Sequence, residues 1–421
     1  MSASSTPRPL DTERLWRDLM ALGELTEPAL PYTRRSFSAM YDNGRAFLKS
    51  QMTGAGLKVR VDEGGNLIGR LEGADPNLPA ILLGSHSDTV PAGGRFDGVA
   101  GVVAALEVVR TLAESGQTLR HPVEVIDFLA EEPSPFGVSC IGSRAIAGML
   151  PDEMLTMTDD RGRTIADGVR AVGGAPERIA DAMRSDIAAF LELHIEQGPI
   201  LEAEQLDVGV VTSIVGIRRL EIQFIGAAAH AGTAPMHMRR DAGFAGALAA
   251  VKVRERAEEL SRSGGAYFVA TVGILEVKPG GSNVVPGGCR LVIDARSSDH
   301  SVIERFTTLI EADSLDAARI AGVDRSDLLI LSDGIPAECA PVVQEALQRS
   351  AAALGLAQRP IASGAGHDAA FLARVCPVGM LFIPCLKGRS HTPEEWATSE
   401  QVGAGANVLL EAVRRLDARL D

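Results

Sequence analysis

Three short apolar runs constrain this chain more than any other feature: Ala80 to Gly84 (AILLG), Val123 to Leu129 (VEVIDFL) and Ala188 to Ile195 (AAFLELHI). Each is continuous rather than alternating, the pattern of a strand buried on both faces of a sheet. Each runs straight into a polar segment. The first is followed by a loop holding His86, Asp88 and Asp97, the second by Ala130-Glu131-Glu132, and the third ends in His194, Glu196 and Gln197. A helix begins near Gly98. This strand–loop–helix alternation predicts an α/β fold, a doubly wound mixed sheet whose ligands bind at the carboxyl ends of its strands. Those ends are where the acids and histidines collect.

Other elements fit around that frame. A first helix starts at Asp11, a good N-cap, with Leu15, Leu19 and Leu22 on one face. Arg45 to Met52 reads as the end of a second helix, stopped by Gly54 and Gly56. Strands Leu57 to Asp62 and Asn66 to Leu71 flank the turn Glu63-Gly64-Gly65. From Ser213 to Ser332 the pattern becomes a compact α+β unit. Its strands are Arg218 to Ile225, Phe268 to Val277 and Arg290 to Ala295, and its helices Gly243 to Arg262 and Ser301 to Asp313. After Pro336 the first pattern resumes, with a helix (Pro341 to Leu354), a strand (Val378 to Ile383) and a closing helix. The expected organisation is one catalytic domain, residues 1–212 and 333–421, interrupted by a smaller inserted domain, residues 213–332.

Composition narrows the partners. Of 421 residues 46% are apolar, enough for packed cores and too many for wholesale disorder. Lys+Arg number 41 against 55 Asp+Glu, a net charge of −14 that repels polyanions, so nucleic acid is not expected. The five cysteines (Cys140, Cys289, Cys339, Cys376, Cys385) are odd in number, scattered and without a CxxC pair. That suits a reducing compartment and argues against both a disulfide framework and a cysteine zinc site. The opening MSASSTPRPLDTERLW lacks a signal pattern, and the richest apolar run, Val99 to Val109, carries Glu107 and falls short of the about 20 residues a membrane span needs. A cytoplasmic protein with no membrane partner is expected.

His86 and Asp88 are two apart, so an extended backbone points them the same way and lets the carboxylate orient the imidazole. Asp97, on a glycine-lined turn at a helix start, can approach an ion or simply cap the helix. Adjacent Glu131 and Glu132 repel unless a proton or cation sits between them, and in extended backbone they face opposite ways, so one can hold a metal while the other moves a proton. His194 ends a strand and His391 lies in Gly388-Arg389-Ser390-His391-Thr392-Pro393-Glu394-Glu395. His121, His237 and His300 read as bystanders.

Together the segments GSHSDTVPAGGRFDG, AEE, ELHIEQGPILE, AAAHAGTAPMHMRRDA, GGSNVVPG with IDAR, SGAGHDA and SHTPEE closely resemble the M20-type dinuclear metallo-amidohydrolases. Within that group they resemble the hydantoinase/carbamoylase branch: N-carbamoyl-L-amino acid hydrolases, β-ureidopropionase and allantoate amidohydrolases. The resemblance spans about residue 10 to 415. It implies two divalent ions (Zn, Mn, Co or Ni). His86, Asp97 and His194 would serve one, with Asp97 bridging both, while Glu132 and His391 complete the ligands of the second ion. Asp88 would orient His86, and Glu131 would be general base and acid. Around a small ureido substrate with a carboxylate it places Gln197, Asn283, Arg296 and His367, Arg296 gripping the carboxylate, and His230 at the oxyanion, reaching across a homodimer. The inserted unit would be the lid and dimerisation domain. The other reading of Arg296 is an ion pair with Asp294 on the same strand face. One departure stands out: Pro133-Ser134-Pro135-Phe136-Gly137 replaces the family's Gly-x-Arg-Phe stretch after the glutamates, stiffening that loop and removing a charge.

Overall fold

The computed structural model describes residues 10–420. They divide into two compact units: residues up to Thr212 with Glu338–Ile361 and everything from His367, and Ser213–Ala337 with Ala362–Gly366.

The first unit is built on a nine-stranded mixed sheet. Its centre is four parallel strands in the order Val123–Phe128, Ala80–His86, Ile187–Ile195, Val378–Ile383, and antiparallel neighbours Leu67–Leu71 and Val208–Ile214 flank them. Every residue of Ala80–His86 and of Val123–Phe128 is buried, as continuous apolar runs require. Register aligns the rim: His86 lies opposite Phe128, and His194 opposite Phe382. Helix Val99–Ser115 is buried from Val99 through Leu112, because the sheet covers one side while helices Thr12–Gly23 and Ser399–Asp417 cover the other. Asp11 caps the first helix by accepting from the Arg14 amide, and Leu15, Leu19 and Leu22 are buried beneath it.

The second unit is a five-stranded antiparallel sheet with helices Ala242–Arg262 and His300–Ala321 on one face. Alternation sends Leu220, Ile222 and Phe224 inward from strand Gly216–Ile225, and Cys289, Leu291, Ile293 and Ala295 from strand Gly288–Ser297. The helix expected to end at Asp313 runs two turns further. Ser314, Ala317, Ala318 and Ala321 prolong its buried stripe until Gly322, left-handed at φ 65°, stops it. No helix among the described residues is long and apolar enough to cross a membrane.

Candidate metal centre

The sheet rim gathers residues from four separate loops. His86 closes its strand with Nδ1 3.0 Å from the Asp88 carbonyl, and His194 directs Nδ1 to the Ile195 carbonyl at 2.8 Å. Donation from Nδ1 leaves Nε2 of both rings with a lone pair. Those nitrogens face Asp97 Oδ1, at 3.6 Å from His86 and 3.2 Å from His194. The other oxygen, Oδ2, lies 3.3 Å from His391 Nε2, which is in turn 3.1 Å from Glu132 Oε1. Ligand atoms of His86, Asp97 and His194 form one compact group, and those of Asp97, Glu132 and His391 a second. Asp97 belongs to both.

Asp97 does not cap the helix. Gly98 does, at φ 64° and ψ −46° with no side-chain cap, and a Cβ there would sit 2.4 Å from the His86 ring. A residue without a side chain therefore lets imidazole and helix start coexist, while the Gly98 amide points at His194 Nε2 (3.1 Å).

Asp88 meets the His86 ring through both its backbone and its side chain. The nearest partner of His86 Nδ1 is the Asp88 backbone carbonyl, whereas the carboxylate lies 3.5 Å away. That carboxylate also accepts the amides of Glu131 (3.2 Å) and Glu132 (3.3 Å). The strand has ended at Phe128 and Ala130 is left-handed (φ 53°), so a pinned turn rather than extended backbone splays the two glutamates. Glu132 goes to His391, and Glu131 Oε2 faces His86 Nε2 at 3.5 Å.

Electrostatics describe an ion-free cluster in which protons gather where cations would. Burial opposes a charged His86, but Glu131, Asp88 and Asp97 hold its pKa well above the usual value. Burial would raise Asp97, yet His194, His391 and His86 pull it well below the carboxylate range. Glu131 is pushed well up by burial, against His86, with Glu132, Asp368 and Asp88 adding to the rise. Hydrogen bonds to Asp97 and Glu132 lift His391 to about 11. The donors are imidazoles and carboxylates without a thiolate; all five cysteines are free, buried and outside both groups. Such a set suits Zn, Mn, Co or Ni. A lone pair facing a carboxylate oxygen at 3.2 Å is favourable only with a cation or proton between them, so the residues fit a pair of divalent ions.

Gln197, left-handed at φ 56°, donates from Nε2 to Asp97 Oδ2 (2.6 Å), and its buried Oε1 has no hydrogen-bond partner among the described residues. His367 packs edge-on against His194, centroids 4.7 Å apart, and burial with His194 pushes its pKa well down. The Pro133–Gly137 loop closes on itself through the Gly137 amide to the Ser134 carbonyl (3.0 Å), and Phe136 meets Phe37 edge-on at 5.2 Å. Of the bystanders, His121 sits at the start of strand Val123–Phe128, the opposite end from this rim. Sequence reasoning assigned no role to Ser390, whose hydroxyl donates to Asp97 Oδ2 at 2.6 Å; its place beside His391 is the only signal that could have found it.

The second unit holds the remaining candidates, in two places. His230 pairs with Val284 across a two-stranded ribbon, and the Ala231 amide bonds the Asn283 carbonyl (2.9 Å), so His230 and Asn283 are exposed neighbours. Arg296 lies at the other end of strand Gly288–Ser297. Its Nε bonds Asp294 Oδ1 (2.7 Å) and its Nη1 the Gly364 carbonyl (3.0 Å), so the same-face ion pair exists. A cavity of about 420 Å³ lined by Val269, Thr271, Asp294, Arg296 and Gly364 opens over the guanidinium.

The profile of peptidase family M20/M25/M40 matches residues 82–415. An N-carbamoyl-L-amino-acid amidohydrolase of Paenarthrobacter aurescens is 42% identical over 412 residues, 96% of this chain and 98% of the relative. A ureidoglycolate hydrolase of Oryza sativa is 37% identical, covering 99% of this chain and 87% of the relative. Among solved structures, an amidase of the hydantoinase/carbamoylase family from Burkholderia multivorans superposes with a TM-score of 0.90 at 35% identity, covering 98% of this chain and 99% of that one.

Proposed function

The chain belongs to peptidase family M20, in the hydantoinase/carbamoylase branch of amidohydrolases, and from that premise we propose that it hydrolyses the ureido C–N bond of an N-carbamoyl-L-amino acid. The observation that carries the chemistry is Asp97 shared between two ligand groups while Glu131, beside them, belongs to neither. The N-carbamoyl-L-amino-acid relative, aligned over nearly both chains, supports the substrate.

Two divalent cations, one on His86, Asp97 and His194 and one on Asp97, Glu132 and His391, would polarise the carbonyl and acidify a water. Glu131 takes the proton of the attacking water and returns it to the leaving amine nitrogen. Its carboxylate faces His86 Nε2 at 3.5 Å yet belongs to neither ligand group, which leaves it available to carry a proton. The products are the free amino acid and carbamic acid, which breaks down to carbon dioxide and ammonia. Arg296 offers its planar fork to the α-carboxylate, steadied by Asp294 and the Gly364 carbonyl. Gln197 and His367 stand beside the ligand groups and orient the ureido end.

His230 and Asn283 lie beyond Gly288, and Arg296 is eight residues along the same strand, about 27 Å at the usual antiparallel rise. No single small substrate touches both ends of one chain. A site using all three draws His230 and Asn283 from a second copy, which supports a homodimer with the inserted unit as lid and contact surface. The five free cysteines suit a cytoplasmic setting.

The test is ammonia release from N-carbamoyl-L- and D-amino acids, allantoate, ureidoglycolate and dipeptides, each with Zn, Mn, Co, Ni or chelator. Metal-dependent turnover of the L-carbamoyl series is expected. Faster turnover of allantoate, or of the ureidoglycolate that the Oryza relative's name specifies, overturns the substrate assignment, and chelator-resistant turnover overturns the mechanism.

A further inference from the structure

Glu395 is a buried carboxylate, 1% exposed, whose partners are two backbone amides and a hydroxyl. Its Oε1 accepts from Phe96 (2.7 Å) and from Asp97 itself (3.2 Å). Its Oε2 lies 3.2 Å from Ser390 Oγ, the hydroxyl that reaches Asp97 Oδ2. The Glu395 amide closes its own turn on the Thr392 carbonyl at 3.0 Å. The Asp97 loop is moulded to this side chain: at Gly94 (φ 131°) a Cβ would stand 2.4 Å from the Glu395 carboxyl carbon. Next along, Trp396 packs edge-on against Phe96 at 5.5 Å, and the Arg95 guanidinium lies 4.1 Å over the Tyr32 ring. Two loops almost 300 positions apart, one supplying Asp97 and the other His391, are thus stitched together through one carboxylate.

We propose that Glu395 is a positioning residue that holds the bridging Asp97 and the His391 loop in register, and thereby sets the affinity of the Asp97–Glu132–His391 group for its cation. It fixes two of that group's three ligands but only one, Asp97, of the His86–Asp97–His194 group. Partners behind a metal ligand commonly govern affinity by about tenfold or more. The inference rests on the two-cation reading of the rim, though not on the substrate.

The experiment is equilibrium dialysis of the full chain against buffered zinc, with metal content per chain and thermal midpoint measured for wild type, Glu395→Ala, Glu395→Asp and Glu395→Gln. Wild type should bind two ions. Ala removes the acceptor and Asp retracts it, so both should weaken one ion at least about tenfold and the other less than about threefold. Gln keeps an oxygen that can accept the same two amides and should return to within about threefold of wild type. Should Glu395→Ala not fold, the Asp and Gln variants decide. Unchanged affinity, equal weakening of both ions, or no recovery with Gln overturns the proposal. Wild type that binds two ions but releases no ammonia sinks the proposed reaction alone, whereas fewer than two ions in wild type sinks both.

Discussion

Replacing Gly98 by alanine tests the centre with one methyl group. The new Cβ would stand 2.4 Å from Cε1 and Nε2 of His86, where ordinary contact begins at 3.4 Å. The ring must therefore retreat by about 1 Å, a displacement that costs on the order of a hundredfold in turnover when it befalls a catalytic group. The backbone adds its own penalty. At φ 64° and ψ −46° an L-residue is strained by about 1–3 kcal/mol, and overpacking against a filled wall adds a similar amount. Gly116, at the far end of the same helix, separates these effects. It also has positive φ (66°), yet a Cβ there meets nothing within 4 Å. Gly116→Ala should cost about 1 kcal/mol and leave metal content and turnover untouched. Gly98→Ala should lower the thermal midpoint further, bind less metal and lose about a hundredfold in kcat. Metal analysis, thermal melts and ammonia release on both variants settle it. Two ions and wild-type turnover in Gly98→Ala would falsify the placement of His86 as a ligand.

Three other perturbations reach different parts of the argument. Glu131→Gln should bind both ions yet lose about 10²–10⁴ in kcat, since only proton transfer is removed; an active variant, or one depleted of metal, contradicts its role as base. Arg296→Lys loses the planar fork that Asp294 and Gly364 hold, so KM for carboxylate substrates should rise about tenfold with a smaller change in kcat, and an equal loss for a ureido substrate lacking the carboxylate would contradict it. In chelator-treated protein, burial lifts Asp127 to about 6 against the pull of Arg45. A raised acid keeps its proton in the folded state, so its cost is absent below pH 3.8, grows between 3.8 and about 6, and is complete above. Asp127→Asn should therefore gain on wild type by about 3 kcal/mol across that window, read from denaturant midpoints; parallel stability curves would refute it.

What could be read from residues alone follows distance along the chain. His86, Glu131, Glu132 and His194 lie at or just beyond the apolar runs that place them, so local pattern and sheet logic sufficed to bring them to one rim. The Asp294–Arg296 pair was visible too, because residues two apart on a strand share a face. Asp97 stayed ambiguous between cap and ligand until Gly98 was seen to occupy the cap position. Spacing placed Asp88 beside His86 but could not show that its carboxylate also serves amides 43 and 44 residues away. Glu395 was passed over for the same reason: its amide partners are 298 and 299 residues distant.

These long-range bonds bear on why the centre needs its cations. Beside the ligand acids Asp97 and Glu132 are buried Asp88, Asp127, Glu192, Asp368 and Glu395, with Arg34 and Arg45 the guanidiniums that Asp127 and Asp88 feel. Burial raises Glu192, pushes Asp368 well up and lifts Glu395 to about 7, each a cost to the ion-free fold at neutral pH. Seryl hydroxyls blunt that cost, Ser85 for Glu192 and Ser143 for Asp368, but a hydroxyl supplies one proton and no charge. Two divalent ions would supply four positive charges at the focus of those acids, in exchange for the protons that His86 and His391 hold without them. A fold that buries so many carboxylates around imidazoles able to give up those protons is therefore most stable when loaded.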